Sequence, residues 1–394
     1  MIVFVLEKVV KYIGLTSVDV EYLALIRRLE SWNIICRRNF SRGVRNVDRV
    51  RFGKTEMFVS KIAFGGIPIQ RLNVTEAVEV VHGVIGLGVN FIDTANGYTD
   101  SEEKIGLAIK DMPRHELVLA SKSGARDKKT FFEHLDMSLA RLGVDYIDLY
   151  QLHGVSDKSY EAVFGDNGAY EGLAEAVKAG KVRFPAFSSH NIRLALQIMR
   201  DGKFSAVQLP FNFVDDEAAA EAIPLAKELD MGFIAMKPFG GGLLSDAKLS
   251  IRYLAQFDSI VPDPGIEKLS EMKEIVQIVE SGEKLSAGDA KSIEALKEEL
   301  GDHWCHRCDY CQPCPQDIAI SSVLHIEGMI RRMPYKSVVS FLGQAMETSR
   351  NCTGCRQCAG KCPYTLSIPE LIKEKQIIWD QYILGYEKSG ATIL

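Results

Sequence analysis

The sequence predicts an α/β protein, a (β/α)8 TIM barrel followed by a small, mostly helical, cysteine-rich domain. Three observations predict it. Residues 47–280 alternate eight short β-branched runs with amphipathic stretches, which suits a barrel of ~250 residues. No GxGxxG follows the first run, and Gly240–Gly242 alone is a weak phosphate-loop signal, so the competing doubly wound sheet loses ground. Eight of the nine cysteines fall between Cys305 and Cys362, which sets the C-terminal part apart.

The expected strands, in order, are Val59–Phe64, Asn90–Asp93, Val118–Ser121, Tyr146–Gln151, Val182–Phe187, Ala206–Leu209, Gly232–Met236 and Ser259–Val261. Between them the 3.6-residue apolar period predicts helices over Thr75–Leu87, Ser101–Lys110, Lys129–Leu142, Tyr170–Ala179, Ile192–Arg200, Asp216–Leu229 and Glu267–Glu280. Residues 281–300 form a polar helical connector, 301–366 the cysteine domain and 367–394 a helical tail. Residues 1–46 show no clear period and end in a basic patch of Arg37, Arg38, Arg42 and Arg45. This segment is expected to be an over-extended translation, with a GTG start read at Val47, or a poorly packed arm; the alternative is an arm that meets an acidic partner or membrane surface. Cys36 is expected to be buried filler.

Composition excludes several classes. The 394 residues are 46% apolar and 25% charged with a net charge of −5, which fits a globular chain and not a collagenous or disordered one. That mild acidity makes no electrostatic case for nucleic acid. No apolar run approaches the ~18 residues of a membrane span. The apolar start Met1–Leu6 is cut by Glu7 and Lys8 and lacks a basic n-region and a cleavage site, so no secretory signal is expected. The expectation is a soluble cytoplasmic protein.

In a barrel, chemistry belongs at the C-terminal strand ends. Asp93 closes the second run, with Tyr98 in the loop after it; Lys122 follows the third and His153 the fourth. Singly each has an ordinary explanation: a helix cap, an aromatic lid, a solvated charge, a hydrogen-bonded loop histidine. Four such residues at successive strand ends fit carbonyl reduction, which needs a hydride on carbon and a proton on oxygen. A phenol is a poor acid at its ordinary pKa of ~10. A neighbouring ammonium lowers that pKa, an aspartate keeps the ammonium charged, and a histidine can donate to the carbonyl oxygen.

These residues and their surroundings, FIDTANGYTDSEEKIG, LASKSG, DYIDLYQLHG, FSSHN, VQLPFN and IAMKPFGGGLL, resemble the aldo-keto reductase family over residues 47–280. The resemblance implies Tyr98 as proton donor, Lys122 as the group that lowers its pKa, Asp93 as the partner of Lys122, and His153 as the residue that orients the carbonyl. It also implies a nicotinamide site. Ser188, Ser189 and Gln208 occupy the carboxamide positions, Ser189 standing where many members have asparagine. Met236 replaces a stacking tyrosine, and Lys237 and Gly265 complete the pocket. Pro185, Ala186 and Phe187 stand where a glycine is usual. In the stretch VPDPGIEKLSEMKEI, Glu274 falls where a glutamate reads the adenine. Glu271 falls where NADP-dependent members place an arginine, so NADH is expected over NADPH.

The cysteines form two runs. Cys305, Cys308, Cys311 and Cys314 are evenly spaced and followed by Pro315; Cys352, Cys355 and Cys358 are followed by Cys362 and Pro363. Gaps this short make poor disulfide frameworks and favour metal. Zinc competes, since His303 and His306 lie close by, but two four-cysteine runs ending in proline favour iron–sulfur. The pattern resembles two-cluster ferredoxins. It implies two [4Fe–4S] centres in an expanded, ferredoxin-like module, one held by Cys305, Cys308, Cys311 and Cys362 and the other by Cys352, Cys355, Cys358 and Cys314. The whole resembles an iron–sulfur branch of the aldo-keto reductases.

The leading expectation is therefore a reductase of a small aldehyde or ketone, with clusters that either exchange electrons with a redox partner protein or brace the module. There is no flavin signature. The rivals are an electron-transfer protein with the barrel as docking scaffold, and a zinc-stabilised interaction protein. The insertion at 156–168 and the C-terminal module are expected to line the barrel mouth.

Overall fold

A computed structural model describes residues 47–388; the expectations for residues 1–46, Cys36 included, and for the last six residues of the tail lie outside them. The chain starts with a hairpin of strands β1 (Arg49–Arg51) and β2 (Phe58–Ser60), which pair antiparallel. Eight parallel strands follow: β3 (Phe64–Gly65), β4 (Phe91–Asp93), β5 (Val118–Ser123), β6 (Ile147–Leu152), β7 (Val182–Ser188), β8 (Ala206–Pro210), β9 (Gly232–Met236) and β10 (Ile260–Asp263). Each pairs with its sequence neighbour, and a parallel bridge from Gly65 to Gly265 joins the first and last to close the barrel.

The expected run Val59–Phe64 is thus two elements. The Ser60 hydroxyl donates to Ile62 O at 2.7 Å and its amide to Asn90 Oδ1 at 2.7 Å, turning the chain between hairpin and barrel. The hairpin covers the bottom of the barrel: Phe52 and Met57 pack with Phe91, Val118 and Ala120, the Phe52 and Phe91 rings meeting edge-on at 5.5 Å. Strand interiors are buried on both faces, as parallel sheets require.

Helices cover the outside, several of them starting where a polar residue satisfies free amide groups. Asn73 and Glu76 form a capping box on Val74–Gly86, Asp127 caps Lys128–Leu142 and Asn191 caps Ile192–Arg200. Two helices differ from expectation. The expected Asp216–Leu229 splits into a short turn, Glu217–Ala219, and Ala222–Glu228, because Pro224 lacks the amide a continuous helix would need and fits only a first turn. Ala247–Leu254 is additional, capped by Asp246, whose carboxylate accepts the Leu249 amide at 2.9 Å.

After Leu269–Ser281 the connector forms a helix, Ala287–Leu300, capped by Ser286. Lys297 pairs with Asp216 at 2.8 Å and Arg252 with Asp289 at 3.0 Å, holding this helix to the barrel. The module that follows has helices Ile320–Leu324, Ile326–Arg332, Tyr335–Ser349, Gln357–Lys361 and Ile368–Lys388 around a separate core that includes Ile318, Val323, Ile326, Met346, Ile372 and Trp379.

The module docks on the barrel mouth. Trp304 is buried against Phe213, Leu244 and Ile293, and its indole N–H donates to Asp215 Oδ1 at 2.9 Å. Gly240, at φ +55°, makes this possible: a Cβ there would lie 2.2 Å from the Trp304 ring. Arg331 donates to Gly242 O at 2.8 Å, and Arg71 donates to Arg331 O. Among the described residues no helix is long and apolar enough to cross a membrane.

Candidate functional site

The register brings the strand ends together. Asp93 sits opposite Ala120, and Lys122 opposite Gln151, so the second, third and fourth barrel strands present their ends side by side. Lys122 lies within its strand, one turn of the pleat further in than expected, and is almost fully buried. Its ammonium donates to Asp93 Oδ2 and, at 2.7 Å, to Thr94 O. The other Asp93 oxygen accepts from Gln151 Nε2 at 3.2 Å. Burial opposes the Lys122 charge, but Asp93, Tyr98 and Asp263 override it and hold its pKa above the usual lysine value.

Tyr98 closes this arrangement from the loop after β4. The Lys122 ammonium lies 5.3 Å from the centre of its ring, and the Tyr98 and His153 rings meet edge-on at 5.8 Å. Burial pushes the phenol pKa up while Lys122 pulls it down, and burial prevails. Tyr98 is therefore a neutral O–H donor, with Lys122 limiting the rise. His153 is pushed down to about 3 by burial, Lys122, Arg126 and Arg307, so its ring is neutral at physiological pH.

All four residues line one cavity of about 490 Å³ at the barrel mouth. Ser188, Gln208, Met236, Lys237 and Gly265 line it too. Ser189 does not. Its hydroxyl donates to Val155 O at 2.8 Å and accepts the Asn191 amide at 3.1 Å, which commits it to the loop. Glu271 and Glu274 also lie outside, exposed on Leu269–Ser281. Glu271 accepts the Glu267 and Lys268 amides at 3.0 and 2.9 Å and so caps its own helix. The insertion at 156–168 is away from the mouth as well, because Tyr160 and Phe164 pack outward onto Tyr170 and Phe204.

Sequence reasoning passes over several residues here. Asp263 ends β10, and its carboxylate accepts from Gln208 Nε2 at 3.0 Å; burial and Asp93 push its pKa well up. Arg307, Met329, Arg332, Met333 and Phe341 reach the cavity from the cysteine module. A strand-end position signals Asp263; nothing in the helical pattern signals Arg332.

The residues fit a nicotinamide amide. Gln208 Oε1 is buried without a hydrogen-bond partner, as is Asp263 Oδ1, leaving acceptors free beside the Lys122 pair. The cysteines likewise fit clusters. Cys305, Cys308, Cys311 and Cys362 line one small cavity with Ile320, Leu324 and Leu366, so the second run contributes its last thiol to the first group. Cys358 interacts electrostatically with Cys314 and Cys352, the reciprocal arrangement. His306 is engaged elsewhere, donating to Asp215 at 2.9 Å and stacking on Tyr364 at 3.6 Å.

A parallel eight-stranded barrel whose mouth carries a tyrosine, a buried lysine–aspartate pair and a histidine belongs to the α/β-barrel oxidoreductases. More narrowly, the chain belongs to the aldo/keto reductase family, whose model matches residues 61–264, and a 4Fe–4S dicluster domain matches residues 304–367. An uncharacterized oxidoreductase of Bacillus subtilis is 28% identical over 50% of this chain and 67% of its own length. An aldo-keto reductase of Strobilurus tenacellus is 31% identical over 48% of this chain and 61% of its own. Among solved structures, the holo form of an aldo-keto reductase from Bacillus halodurans superposes with a TM-score of 0.55 at 24% identity, covering 64% of this chain and 96% of that one. A Klebsiella pneumoniae aldo-keto reductase in complex with NADPH gives 0.53 at 20% identity, covering 63% and 94%. These likenesses show the barrel fold.

Proposed function

We propose that the protein reduces a small aldehyde or ketone, reversibly, at the cavity shared by Tyr98, His153 and Lys122. A bound reduced nicotinamide supplies the hydride to the carbonyl carbon. Tyr98 gives its proton to the carbonyl oxygen, and the neutral His153 ring donates a hydrogen bond that orients that oxygen and spreads its growing charge. Lys122, kept charged by Asp93, stabilises the phenolate left behind. Ser188 and Gln208 would hold the nicotinamide's carboxamide, and Met236, Lys237 and Gly265, which line the same cavity, would border it.

The observation that carries this reading is the edge-on Tyr98–His153 contact above the buried Lys122–Asp93 pair in one cavity. The test is Tyr98→Phe assayed over a carbonyl panel: turnover falls by roughly 10²-fold or more. Unchanged turnover removes the assignment.

NADH is the proposed donor. Glu271 carries a carboxylate where a 2′-phosphate would need a cation, and its hydrogen bonds to two backbone amides fix it there. A kcat/KM for NADPH above that for NADH overturns this. Two [4Fe–4S] clusters are assigned to Cys305, Cys308, Cys311 with Cys362, and to Cys352, Cys355, Cys358 with Cys314. They serve bracing of the module against the barrel, electron exchange with a redox partner being the second possibility. The sharing of Cys362 around the first cavity favours bracing, since one cluster then ties both ends of the module together. Anaerobic iron and sulfide analysis checks the stoichiometry.

A further inference from the structure

The barrel mouth carries more positive charge than hydride transfer needs. Besides Lys122, already committed to Asp93, three basic side chains line the same cavity: Arg307, Arg332 and Lys237, whose pKa burial and the two arginines push well down. Two of them come from the cysteine module. Arg307 stands between Cys305 and Cys308 with φ +59°, a left-handed turn that aims its side chain out of the cysteine loop and into the barrel. Arg332 ends the helix Ile326–Arg332.

Their hydrogen bonds leave them open. Arg332 donates from Nε to Gly328 O at 2.7 Å and lies 3.1 Å from His325 Nε2, both neutral groups. Arg307 Nε is buried without a partner. Among the described residues no carboxylate makes an ion pair with Arg307, Arg332 or Lys237. Asp309, exposed two residues on, and the buried Asp215 act on Arg307 electrostatically without pairing with it, and His306, Trp304 and Asn212 already occupy Asp215. The two acids that line the cavity, Asp93 and Asp263, face Lys122 and Gln208. Buried guanidinium groups without a counter-charge are costly, and planar forks of this kind fit a carboxylate with two bonds.

Position separates two sources for the missing anion. Arg332 approaches Gly241, where a Cβ would sit 3.2 Å from its guanidinium, so a cofactor phosphate passing that loop could reach it. Arg307 instead acts on His153, and both arginines act on Tyr98, which places their charge beside the oxygen-activating pair. Resting on the carbonyl-reduction reading above, we propose that Arg307 and Arg332 clamp a carboxylate on the substrate, so that the compounds reduced here are short oxo-acids bearing an acid group a few bonds from the reacting carbonyl.

The test uses the cluster-loaded full chain and calorimetric titration with glutarate, a dicarboxylate that cannot be reduced, with dimethyl glutarate and inorganic pyrophosphate as parallel probes. Glutarate is expected to bind, its dimethyl ester not to, and Arg332→Met to weaken glutarate by about tenfold or more. Arg307→Met should do the same with the absorption near 400 nm unchanged; Arg332→Met, outside the cysteine runs, keeps the test valid if that band is lost. In turnover, the kcat/KM advantage of an oxo-acid over its methyl ester should collapse in both variants through KM. Glutarate that fails to bind, or binds the variants as tightly as the parent, overturns the clamp. A loss confined to pyrophosphate overturns it too and assigns the arginines to cofactor phosphates. Should no carbonyl be reduced while glutarate binding still depends on both arginines, the reductase reading fails and the acid-binding site stands.

Discussion

The barrel mouth and the cysteine module solve the problem of buried polarity in opposite ways. At the mouth, Lys122, Asp93, Gln151, Gln208 and Asp263 are tied to one another by hydrogen bonds that the strand register fixes. In the module, burial pushes Cys305 up to about 11 and Cys311 up to about 12, and the cavity they line holds other thiols and apolar side chains, with Asp309 acting on both. The first site is held in position by the fold itself, with Gln208 Oε1 and Asp263 Oδ1 left as free acceptors. The second is a set of donors arranged around a space, and its order depends on what fills it. The module nevertheless supplies part of the barrel's cavity, so the two regions cannot be assigned separate jobs.

The sharpest break of this comparison is a cysteine substitution. Cys311→Ala should remove about half of the absorption near 400 nm, that of the first cluster, and lower kcat/KM by on the order of tenfold or more, because the loop that carries Arg307 loses its anchor. A barrel that keeps full kcat/KM without the cluster would show the regions to be independent. On the barrel side, Lys122→Met leaves the Asp93 carboxylate buried and unpaired, a cost of about 3–5 kcal/mol in denaturant unfolding. Lys122→Met combined with Asp93→Asn should recover much of that stability without recovering turnover; joint recovery would mean the pair is only structural.

Trp304→Ala tests the seam between the regions. It should cost about 3–5 kcal/mol where the connector and module meet the barrel, read as faster hydrogen exchange in 239–244 with the barrel strands unchanged.

The pH response also separates the regions. His153, His190 and His325 surround the mouth with pKa values pushed down by burial, His153 to about 3. Each is neutral when folded and takes up a proton on unfolding below its ordinary value of ~6.5. Stability should thus fall as pH drops from about 6.5 towards 3, with a slope of up to about 1.4 kcal/mol per pH unit from His153, which His153→Gln should remove from urea midpoints. The smallest effect is expected at Glu271→Gln, about 1 kcal/mol or less for a weakened helix cap, together with a shift of the cofactor preference towards NADPH.

Much of the site could be read in the sequence because strand ends are readable. A run such as FID or YIDLYQL shows where a strand nears its end, so Asp93, Lys122 and His153 gather at the barrel mouth, with Lys122 one residue inside its strand's end. Adjacent loop residues are harder, since one bond decides the direction of a side chain: Ser188 faces the cavity while Ser189 bonds back to Val155. The split of Val59–Phe64 was hidden because Ser60 is a turn residue only through its bonds to Ile62 and Asn90. Arg307 and Arg332 were illegible for another reason. An arginine between cysteines or at a helix end looks solvated until a second unit docks over it.

The connector helix Ala287–Leu300 acts as a measuring rod. Its 14 residues span about 21 Å, and ion pairs to Asp216 and from Arg252 pin it along its length. One residue added within it would rotate Trp304 by about 100° and advance it about 1.5 Å, out of the slot that Gly240 leaves. Two changes of opposite sign in that helix should be tolerated where either alone is not, so the length of this segment, more than its composition, sets whether the two guanidinium groups arrive at the barrel mouth.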